Sequence, residues 1–326
     1  MKNVYDIKKY FWSSSDGRLR TGWRLLLQLT VNIGGVLLFS LCVVPHSFLN
    51  SWPRLAVEAV GYPVYLGITL LSVWLAGRFL DRRAWCDFGL NLTHRIWWED
   101  FGAGFGIGFV FIVLCVLTAL MLGIIQLKLG FTSGISGVGF PIAVLLSVLS
   151  YGAVGFFEEL ARAYQIRNLF EGLNGSRLGV WPAALMAVGG AALVSAVMHS
   201  SSGMPAFILF VFISMAFQGL FYLFTGRTAL ITGYHFAWDF TLATVFGIEA
   251  LTEKDFTGLF TASFSNLMQM NVNGIQIGNY YPLVVMGLAG MLFQEFAWLA
   301  LLGWVHWRRG GIRVRTEMAT RTAIFK

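Results

Sequence analysis

Long apolar runs broken by short polar segments dominate the chain. Eight of them, at about 23–45, 55–77, 101–125, 140–160, 180–199, 205–224, 228–248 and 281–306, approach or exceed the roughly 20 residues that an α-helix needs to cross a bilayer. They predict an all-α fold, a polytopic membrane bundle of about eight transmembrane helices. The polar stretch Met1–Gly22 reads as a cytoplasmic arm of the mature protein rather than a removable signal, because no short apolar region with a small-residue cleavage site follows it. Residues 23–306 form the transmembrane domain, 307–326 a basic cytoplasmic tail, and 249–280 a sizeable external loop carrying Glu249, Glu253 and Asp255. No linker divides the chain.

Composition agrees with a hydrocarbon solvent. Charged residues make up 12% and hydrophobic ones 57% of the 326 residues, against about 25% charged in soluble domains, which excludes a soluble enzyme. The net charge of +7 is explained by topology. An even number of spans puts both termini on one side, and twenty of the 23 Lys and Arg residues then fall on that side, against Arg54, Lys128 and Lys254 on the other. Cytoplasmic loops retain such residues, so both termini are expected in the cytoplasm and no nucleic acid is required to explain the basic balance. Cys42, Cys86 and Cys115 are scattered and read as small packing residues. Gly102, Gly104, Gly106 and Gly108 form overlapping G-x-x-x-G pairs and read as a helix-packing face, not a phosphate loop.

Ionisable residues inside spans are costly and so mark candidate sites. Glu58 sits near a span end; Glu295 falls in the middle of the last span, where a structural hydrogen bond and a function are equally good readings; His46, His94 and His306 lie at span ends or in loops. Four further positions form a pattern. Phe157-Glu158-Glu159-Leu160-Ala161-Arg162 ends one apolar run, with Glu158 and Arg162 four apart and on one helical face, where an ion pair is the plain reading. His199 closes another run. His235 and Asp239, also four apart, lie inside the seventh, where packing does not explain them. With a rise of about 1.5 Å per residue, these pieces can reach one depth if the helical hairpin around 162–178 projects beyond the membrane and the chain turns at 174–177.

Glu-Glu followed closely by Arg, a later span ending in His and a third span with H-x-x-x-D resemble the CAAX protease and bacteriocin-processing family of intramembrane endopeptidases. Tyr164-Gln165-Ile166-Arg167-Asn168-Leu169, Gly233-Tyr234-His235-Phe236-Ala237-Trp238-Asp239 and Gly22-Trp23-Arg24-Leu25-Leu26-Leu27 also look like family sequence, and the protease-like core spans about 140–248. The resemblance implies an intramembrane metallo- or glutamic endopeptidase of a bacterial cell membrane that hydrolyses membrane-associated protein or peptide substrates. It implies Glu158 or Glu159 as general base, His199 and His235 as partners of water, oxyanion or metal, Asp239 as their polar support and Arg162 as a supporting residue. His199, His235 and Glu159 are the ligand set it implies for zinc or another divalent metal. The chain departs from the family pattern in three places: two rather than three residues separate Glu-Glu from Arg162, Ser195 stands where phenylalanine is common, and Asp239 where asparagine is frequent. Anchoring on Arg162 aligns Glu158 with the second family glutamate and Phe157 with the first, so the choice of base stays open.

Amide hydrolysis needs a base for water and donors or a cation for the oxyanion, both strengthened in a low-dielectric cavity. The runner-up is a non-catalytic membrane immunity or interaction protein that keeps the protease scaffold. A proton-coupled transporter fits less well, since no inverted repeat is evident. No H-E-x-x-H, G-K-[ST] or G-x-S-x-G motif occurs, so serine-nucleophile and ATP-driven readings lack support.

Overall fold

The computed structural model describes residues 9–13, 17–42, 52–174, 178–199, 205–248, 256–264, 271–272, 275–276 and 288–319. The apolar runs fold as helices. They are α1 (Thr21–Cys42), α2 (Arg54–Leu75, continued as a wider π-turn over Ala76–Asp81), α3 (Arg95–Met121), α4 (Phe140–Asn174), α5 (Val180–Met198), α6 (Pro205–Thr225), α7 (Ala229–Phe240, continued as a π-turn over Thr241–Val245) and α8 (Leu288–Arg309). Large apolar residues such as Leu37, Leu41, Leu145, Leu185 and Leu193 point outward, as hydrocarbon allows and water does not. The chain is an integral membrane protein built as an all-α bundle.

Among the described residues six helices are long and apolar enough to span a bilayer, from Thr21–Leu41 to Ile208–Thr225. The expected count of about eight is not confirmed by these residues. The seventh predicted span is only 12 residues of α-helix before its π-turn. The eighth corresponds to α8, and its expected start at 281–287 lies outside the described residues, as do His46, the turn at 175–177, Glu249, Glu253, Asp255 and the end of the basic tail. Cys86 is exposed and Cys115 half-buried, both free thiols.

Antiparallel strand pairing escaped the pattern. β1 (Ile125–Thr132) pairs antiparallel with β2 (Gly258–Phe264), placing Lys128 opposite Thr261 across 133 residues of chain. Ile125 and Ala262 bury their side chains with Ile112, Val116 and Phe246, so the ribbon closes the far end of α3 over the π-turn after α7.

Close backbone approach sets the positions of α3, α4 and α7. A Cβ on Gly104 would lie 2.0 Å from the Leu230 carbonyl oxygen, and one on Gly233 would lie 2.0 Å from that of Phe101. Only glycine permits this crossing, and without a hydrophobic driving force such contacts hold membrane helices together. Gly108 continues the seam against Tyr234 and Ala237, whereas Gly102 and Gly106 face open space, so one of the two overlapping G-x-x-x-G pairs does the packing. Gly155 lets α4 approach the backbone of Thr232 and Phe236, 3.3 Å from its ideal Cβ.

At the end of the bundle that carries most arginines lies a buried ionic layer. Glu171 on α4 accepts from Arg18 and Arg83, both at 2.6 Å, while Asp81 accepts from Arg24 and, at 2.7 Å, from the Tyr164 hydroxyl. Arg167 reaches the Asp87 carbonyl. Burial and the neighbouring Arg167 push the Arg83 guanidinium below the ordinary arginine range. The run 162–174 is packed within the protein, with Ala163, Tyr164, Ile166 and Phe170 fully buried.

Candidate active site

Residues 155 and 159 lie on one face of α4, and 232, 235 and 236 on one face of α7. The close approach at Gly155 therefore carries Glu159 to His235. Glu159 Oε1 stands 2.8 Å from His235 Nδ1, and both Glu159 oxygens accept from Arg162 Nη1 at 2.6 Å. A carboxylate only accepts, so the hydrogen of this contact belongs to His235 Nδ1. His235 Nε2 faces Asp239 Oδ2 at 3.4 Å, one turn along α7. Asp239, His235, Glu159 and Arg162 thus form one chain of polar contacts across two helices, with Glu159 fully buried at 0% exposure.

The plain ion-pair reading holds, with a closer partner beside it. Arg162 binds Glu159, three residues before it, and meets Glu158 only at 3.8 Å. Ser195, which stands where the resemblance leads one to expect phenylalanine, accepts from Arg162 Nε at 3.4 Å, and Gln218 Oε1 accepts from Nη1 at 3.3 Å. The departure at Ser195 thus supplies a polar contact to the guanidinium.

Two cavities flank this chain. The first, about 140 Å3, is lined by Gln28 and Asn32 of α1, Phe157, Glu158, Arg162 and Gln165 of α4, and Ser195 and His199 at the end of α5. The second, about 130 Å3, is lined by His199, Ser214, Gln218, His235, Asp239 and Gln294. His199 belongs to both. Its Nδ1–H donates to the Ser195 carbonyl at 2.8 Å, which makes Nε2 the acceptor nitrogen of the neutral ring. Of the adjacent acids, Glu158 reaches a cavity, with 22% of its side chain exposed, and Glu159 is held inside the protein.

All five expected catalytic positions and Arg162 therefore sit in one region, though not as a single cluster. The trio His199, His235 and Glu159 does not fit a metal as placed. Both Glu159 oxygens hold a guanidinium, whose charge opposes a second cation, and His235 Nδ1 is engaged by the same carboxylate. Among the described residues no group of three His, Cys, Asp or Glu side chains is arranged to hold an ion. Glu295 lies on the exposed face of α8, Glu58 pairs with Arg54 at 2.7 Å, and His94 and His306 are exposed.

Reading only ionisable groups missed the carboxamides that line the cavities. Gln28, Asn32, Gln165, Gln218 and Gln294 are neutral, yet four of them interrupt apolar runs, which is the signal that would have found them. Gln294 Nε2 donates to Ser214 Oγ at 2.6 Å and thereby joins α8 to α6 at the cavity wall.

No curated protein matches the chain, and no solved structure does. The family model described as Rce1-like, type II CAAX prenyl endopeptidase Rce1-like, matches residues 139–241. That segment runs from the start of α4 to the end of α7 and includes Glu158, Glu159, Arg162, His199, His235 and Asp239. The part of the chain that carries the site, residues 139–241, is accordingly similar to the Rce1-like type II CAAX prenyl endopeptidase family.

Proposed function

We propose that the chain is an intramembrane endopeptidase of the CAAX-processing type, acting on membrane-associated proteins or peptides, with Glu158 as general base. The observation that carries the choice of base is that Glu158 lines a cavity together with His199, whereas Glu159 is engaged on both oxygens by Arg162. A base must reach the water it deprotonates. In this reading Glu158 takes a proton from water as the oxygen attacks the peptide carbonyl, and later returns that proton to the leaving amine. His199 Nε2 orients the water. Arg162, and His235 when its Nε2 carries a hydrogen, offer donors to the oxyanion, worth several kcal/mol each in sites of this type (about 2.7–4 for one donor). Glu159 and Asp239 hold the His235 ring from either side. No step passes through a metal.

The test compares peptide termini, by mass spectrometry, in membranes of cells expressing wild-type protein, Glu158→Ala, Glu159→Ala and His235→Ala at matched levels. New termini in the wild type that disappear with Glu158→Ala and His235→Ala are the expected result. Identical termini in all four samples would overturn the assignment and bring forward the non-catalytic immunity or interaction reading.

A further inference from the structure

We infer that Gln218 is a further catalytic residue, whose side-chain amide donates a hydrogen bond to the oxyanion formed from the scissile carbonyl. The inference rests on the endopeptidase reading and deepens it, by giving a role to a neutral residue outside the set of acids, histidines and arginine.

Gln218 lies on the inward face of α6. Val211, Ser214, Met215 and Gln218 follow one another at helical spacing and line the cavity that also holds His199, His235 and Asp239. Leu209, Ile213 and Phe217 point outward instead.

The orientation of the amide follows from its neighbour. Arg162 Nη1 stands 3.3 Å from one branch of it, and a guanidinium only donates, so that branch is Oε1. The other branch, Nε2, carries two hydrogens and donates to nothing among the described residues, yet protein atoms do not close it off. Gln218 as a whole is only 4% exposed, so the surface left open at Nε2 belongs to the cavity wall. An N–H group already aimed into a cavity of low dielectric favours an acceptor that gains negative charge during reaction.

The neighbouring groups leave that part open. Asp239 stands where asparagine is frequent, and as a carboxylate it has no hydrogen to give. His235 gives its Nδ1 hydrogen to Glu159 and has one at Nε2 only as a cation. An amide keeps its hydrogens at every pH. Because His199 lines both cavities, a scissile carbonyl beside it can meet water from the side of Glu158 and turn its oxygen toward Gln218. The water oxygen adds to the carbonyl carbon, its proton passes to Glu158, and the electron pair of the C=O bond moves onto the oxygen held by the Gln218 N–H. Collapse restores the C=O bond, breaks the C–N bond and delivers the proton to the leaving nitrogen. A residue that merely anchored Arg162 would need its oxygen and not its nitrogen.

The test separates the two atoms. Gln218→Glu keeps an acceptor for Arg162 and removes the donor, whereas Gln218→Met keeps the length and removes both. Full-length proteins in detergent, with folding checked by melting temperature, are assayed on a synthetic peptide spanning the cleavage site identified from wild-type membranes. In both variants kcat is expected to fall about 100-fold to 1,000-fold, with KM within about twofold of wild type, the signature of a contact made only in the transition state. Affinity of Gln218→Met for the peptide aldehyde, which binds as a tetrahedral hydrate, should fall in step with kcat, while affinity for the corresponding alcohol stays unchanged. A Gln218→Glu protein with kcat within about threefold of wild type, or a raised KM at unchanged kcat, overturns the donor role and leaves the endopeptidase reading intact. A crystal structure of wild-type protein with the aldehyde decides the matter even if the variants fail to fold. A hydrate oxygen within about 3.2 Å of Gln218 Nε2 is expected, and none within about 4 Å overturns the assignment. Absence of any His235-dependent cleavage in wild-type membranes overturns both readings.

Discussion

Two neighbouring glutamates in this chain have different surroundings, and the difference sets different consequences for their loss. Glu159 is buried between Arg162 and His235, so Glu159→Gln leaves a guanidinium without its counter-charge. Removing one partner of a buried pair costs about 3–5 kcal/mol, and the melting temperature of Glu159→Gln in detergent should fall well below that of wild type. Glu158 meets Arg162 only at 3.8 Å and lines a cavity, so Glu158→Gln should melt near the wild-type temperature while losing at least about 100-fold in cleavage rate. The reverse ranking, a stable Glu159→Gln without activity and an active Glu158→Gln, would exchange their roles. The same geometry predicts that incubation with a strong chelator leaves the cleavage rate unchanged, because Arg162 occupies the carboxylate that a metal would need. Loss of activity on chelation, restored by zinc, would refute the metal-free mechanism.

At the scale of elements, the site depends on the α3–α7 crossing and on the approach of α4 at Gly155. Gly233→Ala would place a methyl group 2.0 Å from the Phe101 carbonyl oxygen, a clash with backbone that a side-chain rotation does not relieve. The cost should exceed the roughly 1–3 kcal/mol of ordinary overpacking, and the variant should fail to purify as a monodisperse species. Gly106→Ala, with open space at its Cβ, should purify as wild type does. Equal behaviour of the two variants in size-exclusion chromatography would show that the crossing tolerates separation. The β1–β2 ribbon was invisible to a search for 20-residue apolar runs because its strands are seven or eight residues long and Lys128 pairs with Thr261, 133 residues away.

For the whole molecule, the distribution of Lys and Arg predicts that the arginine-rich end faces the cytoplasm. Cys86 lies exposed in the short segment after α2, at that end, and offers a direct probe. With Cys42 and Cys115 replaced by alanine, a membrane-impermeant maleimide should label Cys86 in inverted vesicles and leave it unlabelled in intact cells. Labelling from outside intact cells would invert the topology. The arginines that serve as markers of sidedness are also structural: Arg18, Arg24 and Arg83 enter a buried layer with Asp81 and Glu171, a role that loop position alone does not reveal.

Sequence alone determined the class of the protein and put forward the residues of its candidate site. Hydrocarbon requires long apolar helices and makes each buried charge conspicuous, so the bundle and the membrane setting were readable from composition, and the candidate set Glu158, Glu159, Arg162, His199, His235 and Asp239 from spacing together with the family resemblance. Tertiary structure decided which acid faces a cavity, which one Arg162 neutralises, and where α1 and α8 enter the walls. Helical periodicity places Glu158 and Arg162 on one face, but the contact Arg162 makes depends on where α7 brings His235, and that is set by a glycine seam between helices far apart in sequence. Pairing across 76 residues is a property of packing, which no local pattern encodes.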